Sequence, residues 1–215
     1  MGRMMSLFYD RYMRTSEAAC LARWRAELLA DVSGEVLELG VGTGASLPLY
    51  SSNLSRLVLN EPDRHMRRRL INRLAAQPLP LTPEVSDAAV ESLPYATGSF
   101  DVVVSSLVLC SVGDLTAGLA EIHRVLRPAG RLVFLEHVAA APGSRRRKWQ
   151  QRVEPLWRRC SGNCHMTRET ERAIVDAGFE IASVTRESIR KAMPLLRPSI
   201  RGVALKASRT AFSSL

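Results

Sequence analysis

Glu38, Gly40, Gly42 and Gly44 alternate within "VLELGVGTGASLPLY" (36–50), between an apolar run and a stretch of helical character. Glycines in that place let backbone approach a ligand closely and turn tightly into a helix, whose first amides favour negative charge. Two chemistries fit the spacing. Gly40, Gly42 and Ala45 satisfy G-x-G-x-x-A, which would seat the pyrophosphate of a dinucleotide. Glu38 with the three glycines satisfies E-x-G-x-G-x-G instead. A carboxylate ahead of the loop is awkward beside pyrophosphate, but it suits a zwitterion carrying an ammonium and a sulfonium.

Further residues of chemical interest follow. Glu61, in "LNEPD", ends an apolar run and can take both hydroxyls of a ribose, with Pro62 beside it. Its bland alternative is a helix-start acid before Arg64. His137 and His165 are the candidate general bases, each with a structural alternative as a hydrogen-bonded core histidine. Cys110 follows an apolar run and reads first as a small buried hydrophobe, second as part of a substrate pocket. Trp149 and Trp157 either pack a basic segment or line an apolar acceptor pocket. Tyr9 and Asp10 are placed to help an N-terminal helix close over a ligand. Arg168 is a structural residue of a helix start or a magnet for an anionic group. Cys160-x3-Cys164-His165 lacks the paired spacing of structural zinc sites, so the expectation is no metal.

These residues need elements to hold them. Residues 4–30 read as helix, with Leu7, Met13, Ala18, Leu21, Trp24 and Leu28 as an imperfect stripe. "GEVLELG" and "SRLVLNEPD" are strands, "HMRRRLINRLAA" a helix, and 82–86 and 101–105 a weak and a strong strand. Asp114 caps a helix with a stripe of Leu115, Leu119, Ile122 and Leu126, stopped by Pro128 and Gly130. "RLVFLEH" is a strand, residues 140–166 an irregular basic insertion, and "TRETERAIVDAGF" a helix with Thr167 as N-cap and Gly178 at its end. "EIASVT" and "GVALKA" close the chain. Strands alternating with helices imply a parallel sheet covered on both faces, with ligands beyond the carboxyl ends of the strands. Loops 40–46, 61–63, 88–92, 105–112 and 136–140 should therefore share one rim.

The 215 residues suit a single domain, with residues 1–30 as a helical lid and 140–166 covering the substrate. At 46% hydrophobic and 24% charged residues the composition is that of a globular protein, and the longest apolar runs are strand-sized. Without a secretory h-region the four cysteines read as reduced thiols in a cytoplasmic protein. Gly2 and Ser6 match a short acylation pattern, which would anchor weakly by itself. The net charge of +9 gathers in "RHMRRRL", "RRRK" and "WRR". Such runs are ordinarily solvated helix faces; the sharper readings are weak contact with an anionic membrane surface or an acidic substrate. The runs lack interleaved aromatics, which argues against nucleic acid.

"VLELGVGTG", "LNEPD", "ESLPYATGSFDVVVSSLVLCSV" and "EIHRVLRPAGRLVFLEHV" together resemble the class I S-adenosylmethionine-dependent methyltransferases. The resemblance spans nearly all of residues 7–207. It implies an α/β, Rossmann-like sheet of seven strands, mostly parallel with the last antiparallel, and helices on both faces. It implies S-adenosylmethionine as cofactor, held at Glu38, Gly40, Gly42, Gly44 and Glu61, with adenine beside Ala89, Val90 and Glu91 and the methionine moiety near Ser105. One position departs: relatives carry Asp where this chain has Ala89, so adenine recognition must use backbone or another polar group. "LVLCSV", "EHVAA", "WQQRVEPLW" and "CHMTRET" resemble more narrowly a bacterial subgroup and the thiol S-methyltransferases of animals. The latter carry a membrane-anchoring N-terminus, which is not expected here.

The expected function is methyl transfer to a small-molecule acceptor, with a thiol sulfur favoured. Free thiols ionise near pH 8.5, so about a few per cent is nucleophilic thiolate at neutral pH without help. The alternatives are N- or O-methylation of a phospholipid amine, quinone or natural product, a binding module that retains the fold, and a dehydrogenase. The expected state is monomer or homodimer.

Overall fold

The computed structural model describes residues 3–207. The Gly2 acylation pattern and the side chain of Leu7 lie outside that description. Seven strands form one sheet: β1 (Gly34–Leu39), β2 (Leu54–Asn60), β3 (Glu84–Ser86), β4 (Phe100–Ser106), β5 (Leu126–His137), β6 (Phe179–Ser188) and β7 (Pro198–Lys206). Their order across the sheet is β3-β2-β1-β4-β5-β7-β6. The first five pair in parallel, and β7 runs antiparallel to both β5 and β6. The last strand in sequence is thus the reversed one. The sheet is apolar because both faces are covered. Leu37, Leu39, Val103 and Phe134 pack on one side, and Val36, Leu57, Val104 and Val133 on the other. Near-continuous runs of branched aliphatics are what a doubly covered parallel sheet requires.

Among the described residues there are six α-helices, two ahead of β1 and four between strands: α1 (Arg3–Ser16), α2 (Ala22–Leu29), α3 (Arg64–Ala76), α4 (Leu115–Val125), α5 (Arg145–Cys160) and α6 (Thr170–Asp176). A π-helical turn, Glu17–Leu21, joins α1 to α2, so the expected N-terminal helix is one rod with a bulge. The bulge turns Cys20, Leu21 and Trp24 into a small core with Leu135 and Ile189. The caps follow the chemistry of short acceptors. Asp63 accepts from the amides of His65 and Met66 at α3, and Asp114 from those of Thr116 and Ala117 at α4.

Two expectations are corrected. Residues 140–166 are not irregular, because 145–160 form α5, begun by Ser144, whose hydroxyl accepts from the Arg147 amide. Its arginine-rich face and the internal Pro155 hide an otherwise ordinary helical run. Thr167 is not the N-cap of the next helix. α6 starts at Thr170 with Glu169 in the cap position, because 164–169 are occupied in docking against the loop after β4. α4 ends at Val125 and Leu126 turns directly into β5, before Pro128 is reached.

The sheet order reverses between β1 and β4. The carboxyl ends of β1, β2, β4 and β5 place residues 40–46, 61–63, 105–112 and 137–140 on one rim, the crevice position for a ligand in such a sheet.

Candidate active site

The glycine loop leaves β1 and is tied to β2 by the Val41 amide, which donates to Asn60 O at 3.1 Å. Gly40, Gly42 and Gly44 all adopt positive φ. Gly42 (φ +61°) decides what the loop can hold: a Cβ there would meet only Gly40 O, at 4.0 Å, and would project into the open cleft. Backbone is therefore bare where a ligand can lie against it. The cleft, about 410 Å3, is bounded by Gly42, Glu38 and Ser106, with Arg25 and Asp10 of the N-terminal helical rod on its other side.

Glu38 is buried at the floor of this cleft. The Tyr50 hydroxyl donates to its carboxylate at 2.9 Å, and burial pushes its pKa above the ordinary value, against the pull of the Ser46 and Tyr50 hydroxyls. A buried carboxylate facing a cleft favours a cation as its partner. Glu61 directly follows β2 on the same rim. Its two oxygens accept from the amides of Gly42 (2.7 Å) and Asp63 (2.8 Å), and burial again raises its pKa, offset by those amides.

Beyond Glu61 the cleft continues into a cavity of about 270 Å3, bordered by Pro62, Ala89, Val90 and Glu91. Asn60 holds that edge in place, donating to Ala88 O at 2.9 Å. Glu91 is engaged elsewhere. Its carboxylate accepts from the amides of Gly113 (2.7 Å) and Asp114 (3.1 Å), tying loop 88–92 to the start of α4.

Ser105 does not reach the cleft. It is buried, and its hydroxyl donates to Glu136 at 2.7 Å. Side chains alternate along a strand, so its neighbour Ser106 faces the cleft instead and accepts from Arg25 Nε at 3.0 Å. Arg25 in turn donates to Glu17 at 2.5 Å. Asp10 accepts from the Thr43 hydroxyl at 2.6 Å and from Arg69 at 2.5 Å. The rod is thereby fastened across the glycine loop.

A third cavity, about 440 Å3, opens on the far side of Tyr9 and Leu107, residues that also border the 270 Å3 cavity. Met13, Trp157, Ile189 and Leu196 make it largely apolar, and Cys110, His137 and Cys164 lie in its wall. Burial pushes the Tyr9 phenol up to about 12. Leu107 holds a left-handed backbone (φ 61°), an uncommon conformation for a branched side chain, and its amide donates to Leu135 O at 2.7 Å.

His137 is buried in this wall, with Nε2 3.0 Å from Cys164 Sγ. Hydrogen bonding with the Cys110 thiol, and then burial, raise the pKa of Cys164. His165 is placed elsewhere: its Nδ1 lies 3.2 Å from Glu154 of α5, and burial followed by Arg168 and Arg158 lowers its pKa. Trp149 is no part of the cavity either. It is 56% exposed, with Arg152 over its ring, so only Trp157 of the tryptophan pair lines the pocket. The pattern Cys160-x3-Cys164-His165 is split, with Cys160 exposed and Cys164 turned inward.

Arg168, singled out in the sequence as a structural residue of a helix start or a magnet for an anionic group, is structural, but its partners, like the role of Glu136, carried no usable signal there. Arg168 donates to the carbonyls of Leu109 and Val112 and clamps the loop after β4. Glu136, fully buried, accepts from the amides of Val108 (3.1 Å) and Leu109 (3.2 Å) as well as from Ser105. An arginine and a carboxylate that satisfy backbone across some thirty to sixty positions cannot be found by local spacing. Arg25 left a fainter trace, as a charge inside the apolar stripe of the N-terminal helix.

A glycine loop against a buried acid, a second acid directly after β2, and a seven-stranded sheet with its last strand reversed define a class I S-adenosylmethionine-dependent methyltransferase. Residues 37–134 match a family model described as a methyltransferase domain. The human thiol S-methyltransferase TMT1B is 38% identical over 181 residues, 83% of this chain and 74% of that protein, and human TMT1A is 36% identical over 180 residues, 82% and 73%. Among solved structures, geranyl diphosphate methyltransferase in complex with GPP and sinefungin superposes with a TM-score of 0.70 at 16% identity, covering 88% of this chain and 78% of that one. The chain belongs to the methyltransferase family that contains these thiol S-methyltransferases. Among the described residues no helix is long and apolar enough to cross a membrane.

Proposed function

We propose that this methyltransferase transfers the methyl group of S-adenosylmethionine to the sulfur of a small apolar thiol. The observation that carries the acceptor assignment is the composition of the 440 Å3 cavity: no Asp or Glu is among the described residues that line it. An ammonium or a phospholipid amine would be desolvated there without a counter-charge, which is costly. An apolar thiol loses little on entry. The human relatives, named as thiol S-methyltransferases, support the same acceptor.

In this reading Glu38 faces the methionine ammonium and Gly42 lies under the cofactor. Glu61 accepts from the ribose hydroxyls, and the adenine rests against Ala89, Val90 and the backbone of Glu91. The donor set fits: two buried carboxylates meet the cationic and hydroxylic parts, and bare backbone meets the rest. Tyr9 and Leu107 stand between the cofactor cleft and the acceptor cavity. Transfer is an in-line displacement, in which the acceptor S–C bond forms as the sulfonium C–S bond breaks and S-adenosylhomocysteine leaves. Holding the three atoms in line supplies several kcal/mol of the barrier reduction. His137, on the acceptor side, receives the thiol proton.

The test is a panel of alkyl and aryl thiols beside phenols and amines of matched shape, each incubated with S-adenosylmethionine and read by mass for the gain of one CH2. Methylated thiols are expected. Turnover of phenols or amines with none on thiols would replace sulfur as the acceptor atom.

A further inference from the structure

Three potential ligands converge in the wall of the acceptor cavity. Cys110 Sγ, Cys164 Sγ and a ring nitrogen of His137 all lie within 4.8 Å of one another. The residues come from three segments: the loop after β4, the turn after α5 and the end of β5. Their exposures are 2%, 9% and 5%. Two free thiols and an imidazole are a soft donor set whose hydrogen bonds run chiefly within the triad, His137 Nε2 with Cys164 Sγ at 3.0 Å and Cys164 with Cys110. Outside the triad Cys110 makes only weak sulfur contacts, at 3.6 Å to Leu107 O and 3.4 Å to the Ser111 hydroxyl, and His137 Nδ1 has no partner although it is buried.

The backbone holds the donors together independently of the thiols. The His165 amide donates to Cys110 O at 2.8 Å, Asn163 Nδ2 to Ser111 O at 3.2 Å, and Arg168 grips Leu109 and Val112. The Ala139 amide donates to Arg168 O at 3.0 Å, joining the end of β5 to the same unit. The guanidinium of Arg168 also places positive charge near both cysteines. A tetrahedral zinc, with bonds of about 2.3 Å to sulfur and about 2.0 Å to nitrogen, spaces its ligand atoms by roughly 3.5–3.8 Å. His137 Nε2 and Cys164 Sγ, 3.0 Å apart, must open slightly, and no pair exceeds 4.8 Å, so reaching that spacing takes side-chain movements of about an ångström.

We propose that Cys110, His137 and Cys164 form a site for a soft divalent cation of the zinc class. Its fourth position faces the acceptor cavity and takes the sulfur of the incoming thiol. Three protein ligands with an open fourth position are the arrangement of a catalytic rather than a structural zinc. On loading, the cation displaces the protons of both cysteines and is neutralised by the two thiolates. The acceptor thiol then binds as thiolate and gives its proton to solvent. Its sulfur attacks the methyl carbon, the sulfonium C–S bond breaks, and the thioether leaves the metal, since a thioether is a far weaker ligand than a thiolate. This role rests on the thiol reading above, and with a metal loaded, His137 serves as ligand rather than base.

The experiment uses the full chain, stripped by chelator and titrated with Co2+ as a spectroscopic probe. Expected are thiolate-to-cobalt charge-transfer and tetrahedral d–d bands saturating at one equivalent. Adding an apolar thiol should shift them. Cys110→Ser and Cys164→Ser should lose the charge-transfer intensity, whereas Cys160→Ser, in the exposed residue, should keep it. Native mass spectrometry of the zinc-loaded wild type is independent of any variant's folding, and should show one zinc gained with two protons lost. No stoichiometric metal in either measurement overturns the site, as do bands retained in both cysteine variants. Bands indifferent to thiol overturn its role toward the acceptor. Thiol-sensitive bands in a protein that methylates phenols or amines but no thiol would uphold the site and overturn the thiol methyltransferase reading.

Discussion

Gly42 and Glu61 share one hydrogen bond, and the two sides of it fail differently. A methyl group at Gly42 meets open space in the cleft but sits at φ +61°, where an L-residue costs about 1 kcal/mol. Gly42→Ala should therefore lower the melting temperature by only about 2–4 °C, yet weaken S-adenosylhomocysteine binding far more, because the new Cβ occupies the ligand's place. Calorimetric titration beside a melting curve separates the two effects. Glu61→Ala removes a charged acceptor from the proposed ribose position and should cost about 10- to 100-fold in cofactor affinity. Unchanged affinity would relocate the ribose. Much of this was readable in the sequence, because Glu38, the glycines and Glu61 lie within one strand-loop-strand unit where spacing dictates position. Ser105 was misplaced by a single residue. Alternation along a strand turns a one-residue error into the opposite face, so Ser106 meets the cleft and Ser105 meets Glu136.

Elements differ in how clearly their ends are written. The cap at Asp114 was legible because a short acceptor side chain precedes an apolar stripe, whereas Asp63, read as the end of a strand segment, caps α3. α5 was not, because arginines crowd its sequence and its Pro155 resembles a break. Thr167 has the residue type of a cap, but the segment before α6 is spent on tertiary contacts, which local propensity does not report. The antiparallel end of the sheet holds a further constraint. At Gly202 of β7 an added Cβ would lie 2.0 Å from the backbone carbonyl of Ser183, where the β6 register shifts. Backbone cannot yield as a side-chain tip can. Gly202→Ala should destabilise by about 2 kcal/mol or more in chemical denaturation, with the cofactor loop untouched. A neutral effect would mean that the bulge relaxes freely.

At the scale of the whole molecule, the cofactor and the fold are linked through protons. In the cofactor-free chain burial raises the pKa values of Glu38 and Glu61 above the ordinary carboxylate range. Raised values mean that the folded state holds these protons more tightly than the unfolded one. Their contribution to stability is thus present at low pH and lost as pH rises through the folded values. A bound ammonium and ribose favour the ionised forms and offset that loss, so stabilisation by cofactor should grow with pH. At about 100 times its dissociation constant S-adenosylhomocysteine should add about 2.7 kcal/mol, or roughly 5–10 °C in melting temperature. At fixed ligand concentration the increment should be clearly smaller at acidic pH than at neutral pH. An increment that shrinks as pH rises would reverse the assigned roles of both acids. The three cavities that share Tyr9 could not be foreseen, because they depend on how the N-terminal rod, α5 and the β6–β7 turn close over one rim.

A single turnover joins all of these scales. The protein is loaded with S-adenosylmethionine carrying a trideuteriomethyl group, mixed with one apolar thiol and its isosteric alcohol together, and quenched for mass spectrometry. The thioether should carry the intact trideuteriomethyl group, formed in step with S-adenosylhomocysteine, and the alcohol should be unchanged. Label appearing on the alcohol in preference to the thiol, or S-adenosylmethionine left uncleaved beside both, would contradict a thiol-methylating site built from this rim and this cavity.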